Sequence, residues 1–321
     1  MAEDSIIPNS IKSILDKDIE RYHNAAFSQS TLRQYESQYL MFQKWCDDHA
    51  VVSMPPSPET IGAFLSDQAR TVAASTVQLK YAAICYAARK QGIKIDKDHP
   101  AIRLTLRGIH RLRNTPQRQA EALMLDDIRK IVGTCSRTRP LDIRDRAMIL
   151  IGFAGALRRS EIVSIDVEHI SWMEDGIAIL IPKSKTDQAG NGQTITIPYG
   201  AFEDTCPVRS LQSWIDIAGI SQGAVFRRIR SCGTIQEGRL SDKAVVRALQ
   251  MRAEAVGILG SEFNPISAHS LRAGFITQAY KLGVLDEEIM GHTRHSSQPQ
   301  VRGYVRRSKL NPISPAGRIG L

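Results

Sequence analysis

Ile266-Ser-Ala-His269-Ser-Leu-Arg272-Ala-Gly-Phe-Ile-Thr-Gln-Ala-Tyr280 is the stretch on which the fold and chemistry of this chain turn. Ser267 suits a helix N-cap, which places His269 and Arg272 in the first turns of a helix. Three residues apart, they share one face. Unpaired backbone N–H groups at a helix start favour an anion there. A histidine, an arginine and a helix N-terminus therefore converge as a phosphate site. The plainer reading is a solvated Arg–His pair on a surface helix. The downstream residues weigh against it: Ile289-Met-Gly-His292-Thr-Arg-His295 and Val301-Arg-Gly-Tyr304-Val-Arg-Arg307 bring His295 and Tyr304 into one short basic segment.

The chain has 321 residues, enough for two domains with sizeable cores. Lys and Arg number 42 against 33 Asp and Glu, a formal net charge of +9. Such an excess suits a polyanion such as DNA. A ribosomal or membrane surface would need the same sign, so charge alone decides little. Cys46, Cys85, Cys135, Cys206 and Cys232 are scattered, odd in number and without a CxxC pair, as expected of reduced thiols in a cytosolic protein. No apolar run approaches the ~18 residues of a membrane span. The start Met-Ala-Glu-Asp lacks a basic region ahead of an apolar core. A soluble, non-exported cytoplasmic protein is expected.

Residues 1–100 read as helices with short joints. Ser30 is suited to cap a helix carrying Leu32, Tyr35, Tyr39 and Phe42 at helical spacing, with Trp45 and Cys46 beyond. Pro55-Pro56-Ser57-Pro58 is a break, and Ser57 with Pro58 starts the helix Ile61 to Arg70. A further helix runs from about Ser75 to Lys90 and stops at Gly92. These aromatics read as core. From Ala101 to Ala120 there are Arg103, Arg107, Arg111, Arg113 and Arg118 and no acid. A charge run is usually a solvated face, but here it meets a domain boundary marked by Asn114-Thr-Pro116-Gln, where a basic connector can lie across phosphates. Lys80, Arg103, Arg107, Arg111 and Arg113 are the candidate DNA contacts. The expected organisation is a helical domain over 1–113, a basic linker over 114–121 and a second domain over 122–321.

In the second domain, helices are expected near Leu125–Gly133, Arg144–Phe153, Thr205–Ala218 and Ser241–Gly257. Strand-like runs Ile177–Ile181 and Thr194–Ile197 flank a loop with Lys183, Lys185 and the turn signal Asn191-Gly192. The class is mainly α with a small antiparallel β-sheet.

With these residues quoted, the chain resembles the tyrosine recombinase (phage integrase) family over nearly its whole length. Gly155-Ala-Leu-Arg158-Arg-Ser-Glu161 resembles the family's first-arginine box, and His269-Ser-Leu-Arg272 its His-x-x-Arg box. Tyr304 lies where the nucleophile should. Each box alone is a weak signal; together, in this order, they are specific. The resemblance implies a helical core-binding domain, a mixed α/β catalytic domain and a clamp around duplex DNA. It also implies a tetramer assembled on two inverted-repeat sites that exchanges strands through a Holliday junction, close to the nucleoid. Only one helical domain precedes the linker, so an additional arm-type DNA-binding domain is expected to be absent. The tail from Ser308 onward suits docking on its own domain or on a neighbour.

The chemistry explains why such residues belong together. A tyrosine phenolate that attacks a phosphodiester keeps the bond energy in a phosphotyrosyl ester, which a DNA hydroxyl can later attack. Arg158 and Arg272 would hold the non-bridging oxygens and offset charge growing in the transition state. A lysine would protonate the leaving 5′-oxygen, and His269 and His295 would donate hydrogen bonds or take the tyrosine's proton. No metal and no cofactor is required. Arg159, about 100° around a helix from Arg158, reads as surface. Lys185 fits the family hairpin best, with Lys183 the alternative. Gly291-His292 has the glycine that often precedes the family's second histidine but lies twelve residues before Tyr304. His295 lies at the family spacing of nine, so His295 is the site residue and His292 its neighbour. A zinc reading of His269, His292 and His295 finds no Cys or acid at ligand spacing, and no Gly-x-Ser-x-Gly elbow is present. Two other classes share the pattern: a type IB topoisomerase-like enzyme without strand exchange, and a catalytically idle DNA-binding regulator.

Overall fold

The computed structural model describes residues 22, 26–113, 119–182 and 192–306, which divide into two compact units, 1–117 and 118–321. In the first unit, α1 (Gln29–Asp48), α2 (Pro58–Gln68), α3 (Ala74–Lys90) and α4 (Pro100–Arg113) enclose Phe42, Cys46, Ile61, Phe64, Leu65, Val77, Ile84 and Ile102. α1 starts two residues earlier than expected. Its cap is Ser28, whose hydroxyl accepts from the Thr31 N–H at 3.1 Å, so Ser30 is already inside the helix. Ser57 caps α2 in the same way at 3.0 Å, with Pro58 in the first turn. Gly62 lets α2 lie directly on α4, because a Cβ there would stand 2.5 Å from the Ala101 carbonyl oxygen.

Lys80 requires a correction. It is 1 % exposed, on the inward side of α3. Its ammonium lies 3.4 Å from the Met41 sulfur and 5.7 Å from the Phe64 ring centre, and burial pushes its pKa down. A side chain committed to the core in this way does not present its charge to a phosphate.

In the second unit, α5 (Leu125–Gly133) leads into α6 (Pro140–Ala154), whose residues from Ala147 to Phe153 are all buried. α6 is the central element, packed by α8 (Pro207–Ala218) and α10 (His269–Lys281). After the single-turn α7 (Arg159–Ser164) come β1 (Ile170–Trp172), β2 (Gly176–Ile181) and β3 (Gln193–Pro198). They form an antiparallel sheet in the order β1-β2-β3. The register pairs Ile177 with Ile197 and Ile179 with Ile195, so one face of alternating isoleucines enters the core. β4 (Arg227–Ile229) and β5 (Ile235–Arg239) make a separate hairpin before α9 (Asp242–Glu254). The chain closes with α11 (Asp286–Thr293) and the short α12 (Gln298–Arg302).

Two features fix α10. Charged groups at the start of α6 are neutralised locally: Arg252 of α9 pairs with Asp142 and, at 3.1 Å, with Asp145, which also takes Arg144 at 2.7 Å. This leaves the buried end of α6 free to face α10. Gly274 then brings α10 against the irregular segment 119–124. Leu123 donates to the Ser270 carbonyl at 3.2 Å, and a Cβ on Gly274 would lie 1.7 Å from the Leu123 carbonyl oxygen. Backbone cannot yield as a side chain would. Gly274→Ala should therefore cost about 3 kcal/mol or more, the upper range of core overpacking. Urea unfolding followed by circular dichroism checks this, and an unchanged midpoint would contradict the packing.

Candidate functional site

Where α6 ends, three successive carbonyls at Ala154, Gly155 and Ala156 point away from the helix without intrahelical partners, as helix C-termini require. Each is met by a side chain from elsewhere in the unit. The Ala154 carbonyl accepts from His292 Nε2 at 2.7 Å, that of Gly155 from Arg294 Nη1 at 3.4 Å, and that of Ala156 from Arg272 Nη1 at 2.6 Å. Ala156 itself is left-handed, φ +46°, which turns the chain so that Arg158 follows at the N-cap of α7.

Arg158 thus lies at the edge of a helix and not inside one. Its backbone N–H donates to Glu161 Oε2 at 2.9 Å, and its Nη1 to Glu161 Oε1 at 2.6 Å. Glu161 is buried and also accepts from Arg294 Nη2 at 2.9 Å. Burial alone would raise the Glu161 carboxyl, but Arg294 and Arg158 outweigh it and hold the group below the usual carboxylate range. Arg159 is exposed and pairs with Asp242 at 3.1 Å.

Arg272 stands one turn into α10 and is fully buried. The cap differs slightly from expectation: Ala268 holds the N-cap position, while the Ser267 hydroxyl accepts from the His269 N–H at 3.2 Å. Arg272 donates to Ala156 O, to Thr293 O and to His295 Nε2, the last at 3.0 Å. Its Nε finds no acceptor among the described residues. Burial, and next the neighbouring Arg158, push its guanidinium down to about 9, which still leaves it charged at neutral pH.

The network also fixes the proton on His295. The Thr293 hydroxyl donates its one hydrogen to the Ile289 carbonyl at 2.6 Å, so its oxygen must accept from His295 Nδ1 at 2.7 Å. Nε2 is then the bare nitrogen, consistent with its accepting from Arg272, which can only donate. Burial, and then the charges of Arg272, Arg158 and Arg294, push His295 down to about 3, so the ring is neutral.

Tyr304 is half-buried just beyond α12. Its ring centre lies 5.2 Å from that of His295, 6.5 Å from that of His269 and 5.8 Å from the Arg272 guanidinium carbon. Arg306 anchors this turn: it donates to the Tyr304 carbonyl at 2.8 Å and to the Ala120 carbonyl at 3.0 Å, and Thr277 Oγ1 accepts from the Arg306 N–H at 3.2 Å. Arg302 pairs with Asp286 at 2.9 Å, and Asp286 also receives the Tyr280 hydroxyl.

The structure therefore brings Arg158, His269, Arg272, His295 and Tyr304 together. Lys183 and Lys185 lie outside the described residues, beyond the paired ends Ile181 and Gln193. His292 is turned away, stacked on Phe275 at 4.8 Å while it serves the Ala154 carbonyl. On α4 of the first unit, Arg103, Arg107, Arg111 and Arg113 are exposed. The first three recur every fourth residue along one side, and Arg113 donates to the Arg70 carbonyl at 3.0 Å. No group of three or more His, Cys, Asp or Glu suited to a metal occurs among the described residues, and no described helix is long and apolar enough to cross a membrane. Sequence reasoning missed Arg294 and the part Glu161 plays beside it. Their only signal was an acid three residues after Arg158.

The model of the phage integrase family matches residues 121–310. The chain is 33 % identical to the integrase/recombinase xerD homolog of Selenomonas ruminantium, over 88 % of this chain and 82 % of that protein. It is 26 % identical to recombinase cre of Escherichia phage P1, over 92 % and 88 % respectively. Among solved structures, a lambda integrase dimer bound to a COC′ core site has the same fold, with a TM-score of 0.59 at 18 % identity over 93 % of this chain and 96 % of that one. A lambda integrase tetramer bound to a Holliday junction gives 0.60 at 17 % identity, over 96 % and 80 %. The chain belongs to the phage integrase family and is a tyrosine recombinase.

The histidine environments have a consequence for stability. Both His295 and His292 are held below their ordinary value of 6.5 by burial first. As pH falls through the unfolded-state value, the unfolded chain takes up protons that the folded one refuses, so stability is lost with falling pH. The slope approaches about 1.4 kcal/mol per pH unit for each histidine. Urea midpoints at about pH 7.5 and about pH 5 should differ markedly for the native protein and less for His295→Gln. Equal pH dependence in both would contradict a buried neutral His295.

Proposed function

We propose that this protein is a site-specific DNA recombinase that cuts and rejoins duplex DNA through a 3′-phosphotyrosyl intermediate formed at Tyr304. The single observation that carries this reading is the convergence of Tyr304 with His295, His269 and Arg272 in one cluster whose charges do not balance. Three guanidiniums, of Arg158, Arg272 and Arg294, face the one carboxylate of Glu161. A buried excess of positive charge is costly unless an anion enters. A phosphodiester brings one negative charge and acquires more as the phenolate adds, so the site favours the transition state over the ground state.

In this reading Tyr304 Oη attacks phosphorus and forms the new P–O bond, while the bond to the 5′-oxygen breaks. Arg158 and Arg272 hold the non-bridging oxygens with their remaining N–H donors. His295, whose ring lies 5.2 Å from that of Tyr304, takes the phenolic proton on Nε2 once Arg272 turns the donor now bonded to that nitrogen onto the phosphate. His269 donates a further hydrogen bond, and Lys185 protonates the departing 5′-oxygen. A DNA hydroxyl then attacks the phosphotyrosine and releases Tyr304. The exposed row Arg103, Arg107 and Arg111, with Arg113, suits phosphate contacts along a duplex. The partner is double-stranded DNA with an inverted-repeat site, bound by four protomers on two sites, as the lambda integrase tetramer on a Holliday junction suggests. A cytoplasmic, nucleoid-associated enzyme follows from that partner.

The test uses a nicked suicide duplex carrying the inverted repeat sought in the DNA flanking the gene. The native protein should form a covalent adduct on it that is stable to denaturant, and Tyr304→Phe should form none. An adduct that survives the substitution would sink the assignment. A plasmid with two sites then separates recombination, which gives deletion or inversion, from topoisomerase-like action, which gives relaxation alone.

Lys185 is tested by its leaving group. Replacing the 5′-bridging oxygen by sulfur gives a leaving group that needs no proton. Lys185→Ala should be slow on ordinary DNA and largely restored on the sulfur-bridged duplex, whereas Lys183→Ala should show only a binding defect that deepens with salt. Rescue of Lys183→Ala alone would transfer the role two residues upstream.

A further inference from the structure

We infer that Arg294 is a positioning residue that keeps Arg158 available to the scissile phosphate by occupying the second oxygen of Glu161. The inference rests on the reading of Arg158 and Arg272 as phosphate-holding groups and adds a third arginine that touches neither substrate nor nucleophile.

The backbone gives the first observation. Arg294 stands at the C-cap of α11 with φ +59° and ψ 43°, a left-handed conformation that glycine adopts freely and other residues adopt at a cost of roughly 1 kcal/mol. A long side chain there is offset by what it reaches. Its guanidinium is 2 % exposed and donates to Glu161 Oε2 at 2.9 Å, to the His292 carbonyl at 3.0 Å and to Gly155 O at 3.4 Å.

Glu161 gives the second. A carboxylate and a guanidinium left to themselves pair through two parallel hydrogen bonds. Here Arg158 makes one side-chain bond, Nη1 to Oε1 at 2.6 Å, because Oε2 is already taken by Arg294 and by the Arg158 backbone N–H. Arg158 therefore keeps its other N–H donors for a ligand. The same contact joins two parts of the site that are distant in sequence, since Arg294 directly precedes His295 and Glu161 lies in the box that carries Arg158. Without Arg294, Glu161 is free to swing onto Arg158 with both oxygens, and the turn that holds His295 loses its tie to α7.

The experiment uses the full-length protein on the suicide duplex described above, with DNA affinity and single-turnover cleavage measured separately. Arg294→Gly suits the left-handed backbone and removes the whole side chain, with its bonds to Glu161 and to the Gly155 and His292 carbonyls. It should bind DNA as the native protein does and cleave more slowly by on the order of tenfold to a hundredfold, the usual effect of losing a residue that orients a reacting one. Arg294→Lys returns the charge without the fork and should recover part of the rate. In a Glu161→Gln background, where the side chain keeps one acceptor oxygen and no charge and so cannot clamp Arg158 with two oxygens, Arg294→Gly should cost much less than in the native background. Full-rate cleavage by Arg294→Gly, loss of DNA binding in parallel with cleavage, no recovery with lysine, or a full additional loss in the Glu161→Gln background would each overturn the inference. Absence of any adduct from the native protein would overturn the recombinase reading together with it.

Discussion

The three carbonyls at the end of α6 are the constraint around which the rest of the site is arranged. A buried carbonyl without a donor costs about 1–3 kcal/mol, and three in succession would not be tolerated in the core of the unit. Their donors are His292, Arg294 and Arg272, drawn from α11, its C-cap and α10. Satisfying the backbone thus fixes where two guanidiniums sit before any substrate is considered. It also draws the turn bearing His295 against the box bearing Arg158. The catalytic geometry is a consequence of closing a helix end.

Electrostatics then works on a frame that is already rigid. At an effective dielectric of about 20, a pair of charges 4 Å apart interacts by about 4 kcal/mol. One carboxylate among three guanidiniums therefore offsets only part of their mutual repulsion. Arg272 shows the strain most directly, since burial and Arg158 both push its pKa down. Such a site gains when a phosphate enters and gains more as charge accumulates on it. His295 remains uncharged, because a protonated ring would add a further positive charge beside Arg272.

Much of this was legible in the sequence because it is local. Ser57 with Pro58, and Gly92 at φ +72°, mark helix ends through backbone chemistry that a few neighbours decide. The isoleucines of β2 and β3 alternate because one face is buried. The illegible parts depend on partners far along the chain. Arg294 meets Glu161 across 133 positions, so nothing near Arg294 announces its burial. Lys80 reads as a surface cation until Met41 and Phe64 close over it. The β4–β5 hairpin is rich in arginine and lacks an alternating apolar face, so no periodicity reports it. Ser28 and Ser30 are equally good caps by type, and only the direction of the Ser28 hydroxyl decides between them.

Tyr304 is held differently from the groups around it. Arg272 and Glu161 are locked by burial, whereas Tyr304 follows a five-residue helix that buries a single side chain, Val301. Tyr304 and Val305 also pack against the small cluster of Ile276, Ala279, Ile289 and Val301, and hydrogen bonds to the backbone of the turn complete its placement. Arg306 supplies them, with the Tyr304 carbonyl on one side and Ala120 on the other. Ala120 belongs to the segment that also donates from Glu121 to the Pro265 carbonyl and from Leu123 to the Ser270 carbonyl. The tyrosine and the His269–Arg272 helix are therefore referenced to the same stretch of backbone. That shared anchor keeps Tyr304 and Arg272 in register although they stand 32 positions apart along the chain.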